Sequence, residues 1–302
     1  MIDKNALYGA LNEGILIERL KCFNWNLKKN IPYIARHGGV RRLVPLFKGR
    51  HVIVIGAGPS LEGNLPLLKK YHMRREFVLA ATDMALKPLV ARGIMPGFVF
   101  SCETVPVDYF GGIDTKPMHL VAFSCISHIN LKKWHGDISF YNWMIHSPDF
   151  SLLWERAGVD LGFVATGNVI TTQAVAFSLG CGVSSLILVG NDLGFSDIVY
   201  AGETEARYAI NRRINRVGPA ESVEFRASRD RREYEVRRGG RLYYTNRQFL
   251  AAKLWLEDLF MKSPAPVYDC GEPGCSEKCV RRISLRDYFA GFDRIHRGKR
   301  KL

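Results

Sequence analysis

Residues 51–61 read HVIVIGAGPSL. A continuous apolar, mostly β-branched run this short predicts a strand buried on both faces. Gly56-Ala57-Gly58-Pro59-Ser60 follows at once. Glycines there allow a sharp turn and let backbone N–H groups approach an anion. Ser60 is placed to cap the next helix or to donate its hydroxyl to a phosphate or sugar. Strand, glycine turn and helix together are the opening unit of a parallel sheet.

Reading outward, the same alternation recurs. Residues 77–81 (FVLAA), 98–102 (FVFSC), 119–124 (HLVAFS), 138–142 (ISFYN) and 185–190 (SLILVG) predict further buried strands, and 267–270 (VYDC) a terminal one. Helical patterns fall at 65–71, at 83–92 before Gly93, at 169–179 before Gly180, and at 244–260. Upstream, 5–29 reads as an amphipathic helix, broken by Pro32 and Gly38-Gly39, with a second short helix ending at Phe47. The expected class is α/β: a Rossmann-like three-layer core with a mainly parallel sheet, an N-terminal helical lead-in and an Arg-rich insertion. The expected division is a lead-in at 1–48, a core domain at 49–290 carrying an insertion or lid at 197–245, and an unstructured basic tail at 291–302. No repeat is evident, which argues against solenoids and propellers.

Composition excludes several classes. Of the 302 residues, 47% are hydrophobic and 24% charged, as in a folded globular chain. No apolar run approaches the ~18 residues of a membrane span. The start, MIDKNALYGALNEGILIERLK, has acids within its apolar stretch and does not read as a secretory signal. Seven unevenly spaced cysteines then suggest reduced thiols and a cytoplasmic location. Cys270, Cys275 and Cys279 cluster, but at gaps that match no familiar zinc or iron–sulfur pattern.

The net charge of +14 invites a nucleic-acid reading. Yet residues 51–200 sum to −2, while 201–245 sum to +4 and the two ends carry the rest. No nucleic-acid motif accompanies the flanks, so no specific nucleic-acid partner is expected. The basic insertion is expected to overhang the site and meet an anionic ligand. Affinity would then depend on salt, and neutralising Arg229, Arg231 and Arg232 would abolish that dependence.

Chemistry-bearing residues sit at predicted strand ends, where open α/β sheets bind ligands. They are Thr82-Asp83, Glu103 and Gly190-Asn191-Asp192, with Thr166-Gly167-Asn168 opening a helix whose N-terminus can meet an anion. Asp83, Glu103 and Asp192 in one crevice would suit Mg2+ bridging phosphates. Gly56, Gly58, Pro59, Ser60, Asp83, Thr166, Gly167, Asn168 and Asn191 are the candidate nucleotide contacts. Glu103, Asp192 and His146, which follows YNWMI, are the candidate catalytic groups. Each single acid could equally cap a helix, and a lone histidine is more often structural.

These segments, in this order, resemble one family. GAGPSL, ATDMALKPLVARGIMP, FVFSCE, ATGNVITTQAVAFSLGCG and SLILVGNDLGFS are similar to the core of the motility accessory factor (Maf) proteins and of the 6-hydroxymethylpterin diphosphokinase MptE-like proteins. NLKKNIPYIARHGGVRRLVPLFKGR looks like the Maf helical lead-in, and LYYTNRQFLAAKLWLEDLF with VYDCGEPGCSEKCVRRISL like its closing segments. The resemblance spans about residues 24–290. It implies a nucleotide substrate and transfer chemistry: a CMP-activated nonulosonic sugar placed on flagellin or a surface glycan, or Mg2+-dependent diphosphate transfer from ATP to a pterin. The family favours Asp after Pro96 and Asp at position 103, where this chain has Gly97 and Glu103. Glu moves the charge by one methylene and changes metal geometry, which favours glycosyl over diphosphoryl transfer. A non-catalytic nucleotide-binding or docking protein is the alternative from another class. An NAD(P) oxidoreductase is disfavoured, because Pro59 stiffens the loop and removes an N–H.

Overall fold

The computed structural model describes residues 4–145, 147–212 and 220–299. The chain opens with α1 (Lys4–His37) and α2 (Val44–Phe47), then β1 (His51–Ile55), α3 (Leu61–Tyr71), β2 (Phe77–Thr82), α4 (Leu86–Ala91) and β3 (Phe98–Ser101). It continues with β4 (His119–Phe123), α5 (His128–Leu131), β5 (Asp137–Trp143), α6 (Pro148–Ala157), β6 (Phe163–Val164), α7 (Ile170–Gly180) and β7 (Ser185–Val189). The remainder holds α8 (Glu205–Asn211), α9 (Ala220–Arg229), β8 (Tyr234–Arg238), β9 (Arg241–Thr245), α10 (Arg247–Met261), β10 (Val267–Asp269), β11 (Arg281–Arg282) and α11 (Leu285–Lys299).

Nine of these strands form one parallel sheet, ordered β11-β10-β7-β1-β2-β3-β4-β5-β6. β1 is central, pairing in register with β2 (Ile53 with Leu79) and with β7 (Ile53 with Ile187). Its side chains divide between two cores. Val52 and Val54 join the core that also holds Phe23, Phe47 and Phe177, whereas Ile53 and Ile55 join the one built on Leu61, Leu65, Phe289 and Phe292. A strand covered on both faces cannot alternate apolar with polar, which is why HVIVI is apolar throughout.

Four expectations change. Pro32 does not end the first helix, which runs to His37 and stops at Gly38, with φ +72°. The lost backbone bond is offset by anchoring from the same helix. The Asn26 amide donates to the carbonyls of Thr104 (2.8 Å) and Cys125 (3.2 Å), and the Asn30 amide to those of Ser124 (3.1 Å) and Ile126 (2.8 Å). Residues 267–270 are not the last strand, since β11 pairs beyond β10. Residues 291–299 are not a loose tail. They continue α11, whose Leu285, Tyr288, Phe289 and Phe292 lie at helical spacing and are buried. Phe289 stacks on Tyr71 at 3.8 Å. Finally, β6 was not anticipated, two residues being too short for a pattern.

The 197–245 stretch contains α8, α9 and the antiparallel hairpin β8–β9. Phe195 bridges to Tyr244, tying the stretch back to the core. Among the described residues no helix is long and apolar enough to cross a membrane.

Candidate functional site

β1 has β2 on one side and β7 on the other, so successive connections leave in opposite directions at its C-terminal end. Such a switch point opens a crevice between the two departing loops. Here those loops are 56–60 and 190–194, and they touch closely. A side chain on Gly56 would meet Asn191 Oδ1 at 2.5 Å, and one on Gly58 would meet Asp192 Oδ2 at 2.5 Å.

The glycines thus serve loop-to-loop contact. Gly56 N–H donates to Val189 O (2.8 Å), Gly58 N–H to Gly190 O (2.8 Å) and Ser60 N–H to Asp192 Oδ2 (2.8 Å). These amides are spent within the protein and do not form an open phosphate cradle. Nor does Ser60 cap α3; its hydroxyl donates to Asp192. Asp192 also accepts from Glu272 N–H (3.2 Å). It is therefore a buried hub joining the glycine loop to the 270–280 loop.

A cavity of about 490 Å3 lies beside this junction, within the range of about 300–1,000 Å3 common for small-molecule sites. Asp83, Glu103, Thr166, Asn168, Asn191, Asp192 and Gly58 line it. Gly56, Pro59, Ser60 and Gly167 do not. Gly167 instead packs against the Trp255 ring, which a side chain there would meet at 2.9 Å. His146 lies outside the described residues.

The three acids share the cavity without converging. Asp83 accepts from Ser101 Oγ (2.6 Å) and Met84 N–H (2.8 Å). Glu103 Oε1 accepts from Thr104 N–H (2.9 Å), Val105 N–H (3.1 Å) and Arg19 Nη1 (3.1 Å). Asp192 faces Ser60 and Glu272. No three His, Cys, Asp or Glu side chains among the described residues form a group able to hold a metal. That applies to Asp83, Glu103 and Asp192 and to Cys270, Cys275 and Cys279. A protein-only Mg2+ site of the three acids does not fit this geometry. All seven cysteines are free, and burial pushes the Cys270 thiol up to about 12 and the Cys279 thiol up to about 11, away from metal-binding thiolate.

Burial also pushes the carboxyls of Asp83 and Asp192 up to about 7, despite the hydrogen bonds that oppose it. Each binds a proton more tightly in the folded chain than in the unfolded one, so its contribution to stability falls as pH rises from about 4 to about 7. His37, His119 and His128, lowered chiefly by burial, act in the opposite sense. A difference measurement separates the two. Between pH 5 and pH 8, wild type should lose stability relative to Asp83→Asn by about 3 kcal/mol. A constant difference in urea unfolding across that range would contradict the assignment.

Several lining residues had no signal in the sequence. Arg19 comes from α1, Tyr109 from the loop after β3, Tyr200 from the insertion and Phe249 from α10. Gln173, on the predicted helix, accepts from Tyr141 OH (2.5 Å) and Trp143 Nε1 (3.0 Å) and donates to Thr166 Oγ1 (3.1 Å). Conversely, the arginines expected over the site are used elsewhere. Arg232 lies over the Tyr244 ring at 4.0 Å and donates to Asp197 (3.2 Å). Arg231 donates to Tyr200 OH (3.1 Å), and Arg229 is exposed beside Asp230. None of the three lines the cavity. Gly97 lies just before β3, at the end of the strand remote from the cavity.

The fold and site define an open, doubly wound α/β protein with an acidic cavity at its switch point. The sequence model of the 6-hydroxymethylpterin diphosphokinase MptE-like family matches residues 25–198, and the chain belongs to that family. Its fold is shared with a Maf glycosyltransferase from Magnetospirillum magneticum AMB-1, with a TM-score of 0.54 and 17% identity over 78% of this chain. The match covers 34% of that protein, so this chain spans about a third of its length. No curated protein matches the sequence.

Proposed function

We propose that the chain is a nucleotide-dependent transferase acting by glycosyl transfer from a CMP-activated nonulosonic sugar to a protein or glycan acceptor such as flagellin. The observation that carries this reading is Glu103. Its Oε1 is fixed by two amides of its own turn and by Arg19, while Oε2 has no partner among the described residues. Glu103 lines the cavity, and a carboxylate with one oxygen anchored and the other without a protein partner suits a general base. The acceptor oxygen bonds the anomeric carbon as the bond from that carbon to the phosphate oxygen breaks. CMP leaves with the electron pair, and Glu103 Oε2 takes the acceptor proton. Asp83, near neutrality in its pKa, serves ribose or base hydroxyl and amine groups. Tyr109, Tyr200 and Phe249 line the cavity and are the aromatic groups on which the base would stack.

Family membership and the fold shared with a Maf glycosyltransferase support transfer chemistry. The second reading, diphosphate transfer from ATP to a hydroxymethylpterin with Mg2+, has the family description in its favour. The non-convergence of the three acids weighs against it. Calorimetry with CMP, CDP and ATP, followed by chromatography of CMP-N-acetylneuraminate and ATP–pterin incubations, discriminates the readings. Cytidine nucleotide binding and CMP release are expected. AMP release that needs both Mg2+ and pterin would move the assignment to the second reading. Binding without turnover would favour a docking protein.

A further inference from the structure

The described lining of the cavity includes four carboxyl side chains, Glu18, Asp83, Glu103 and Asp192, and one cation, Arg19. Arg19 reaches the site from α1, outside the segment that the family pattern covers. Its Nη1 alone makes the protein contacts, to Glu103 Oε1 (3.1 Å) and Thr104 Oγ1 (3.2 Å). Nε and Nη2 have no acceptor among the described residues.

This pattern is not that of a structural ion pair. The Arg19 side chain is 41% exposed and Glu103 24% exposed, so the pair lies at the rim, where such bridges stabilise little. Asp83 and Asp192, at 5% and 2% exposed, form the floor. The nitrogens left open are the two that lie side by side on the guanidinium. That edge matches a pair of oxygens on one carboxylate or phosphate through parallel hydrogen bonds. The other charged side chains that line the cavity are all carboxyls among the described residues.

We infer that Arg19 is the anion-recognition residue of the cavity, taking a two-oxygen anionic group of the ligand on its Nε/Nη2 edge and so placing the ligand's uncharged, hydrogen-bonding part toward Asp83 and Asp192. This rests on the transferase reading above and names the recognition element within it. The anion is either the nucleotide phosphate or the carboxylate of a sugar acid. The same contact would carry the salt dependence that the insertion arginines do not.

The test is calorimetric, on the full chain, comparing wild type, Arg19→Gln and Arg19→Lys. One arm uses CMP against cytidine; the other uses N-acetylneuraminic acid against its methyl ester. Wild type should prefer the charged member of one pair, and Arg19→Gln should lose that preference, weakening the anion roughly tenfold to a hundredfold. The uncharged member should bind both proteins alike. Arg19→Lys should restore the preference only in part, because an ammonium cannot bond both oxygens in parallel. Loss confined to the first arm identifies phosphate, and loss confined to the second identifies carboxylate. Arg19→Gln that keeps the wild-type preference for the charged member overturns the inference while leaving the transferase reading intact, as does a wild type that binds ligand but prefers the charged member of neither pair. Absence of all binding by wild type removes both.

Discussion

Glu103→Gln should lower turnover by about 10²- to 10⁴-fold, the usual contribution of a positioned general base, while leaving nucleotide affinity within a few-fold. The substitution is nearly isosteric. A glutamine Oε1 would still accept from the amides of Thr104 and Val105 and from Arg19, so fold and cavity should persist. What disappears is the proton acceptor at the open position. Single-turnover measurement of CMP release in wild type and variant decides the matter. Equal rates would remove Glu103 from the chemistry and leave the base elsewhere.

Gly190→Ala should be severely damaging to stability, costing roughly 3 kcal/mol or more. Gly190 has φ +66°, and a side chain there would lie 2.4 Å from Gly56 O and 3.0 Å from Leu61 Cβ. The left-handed backbone alone costs an alanine about 1–2 kcal/mol. The clash adds to this because its partner is backbone, in a loop whose amides bond the Gly190 loop. Gly112→Ala is the matched control, with φ +75° and nothing within 4 Å. It should cost only about 1–2 kcal/mol. Urea unfolding of both variants is the measurement, and comparable losses would show that the loop crossing is not tightly packed.

The sequence was informative where the signal is local. HVIVI, FVLAA and SLILV became β1, β2 and β7, because a strand covered on both faces must be apolar along its length. Gly93 ends its helix with φ +66°. Asp83, Glu103 and Asp192 were placed on the crevice because parallel strands deliver their C-terminal residues to one edge. The helical spacing of Leu285, Tyr288, Phe289 and Phe292 was legible too, but the net charge of the tail drew attention from it.

What the acids and glycines do was decided elsewhere. Gly58 looked like a phosphate turn, yet its N–H is held by Gly190 O. Ser60 looked like a helix cap, yet it bonds Asp192, 132 positions away. Arg19 carried no local sign of its place, and its partner Glu103 is 84 positions along. Strand and helix formation depends on periodicity and turn chemistry within about ten residues, so the sequence by itself determined the α/β class and the sheet edge at which the cavity lies. Hydrogen-bond partners, burial and the charge of the cavity depend on which distant segments the sheet order and the packing of α1 bring together, and only the tertiary structure decided those.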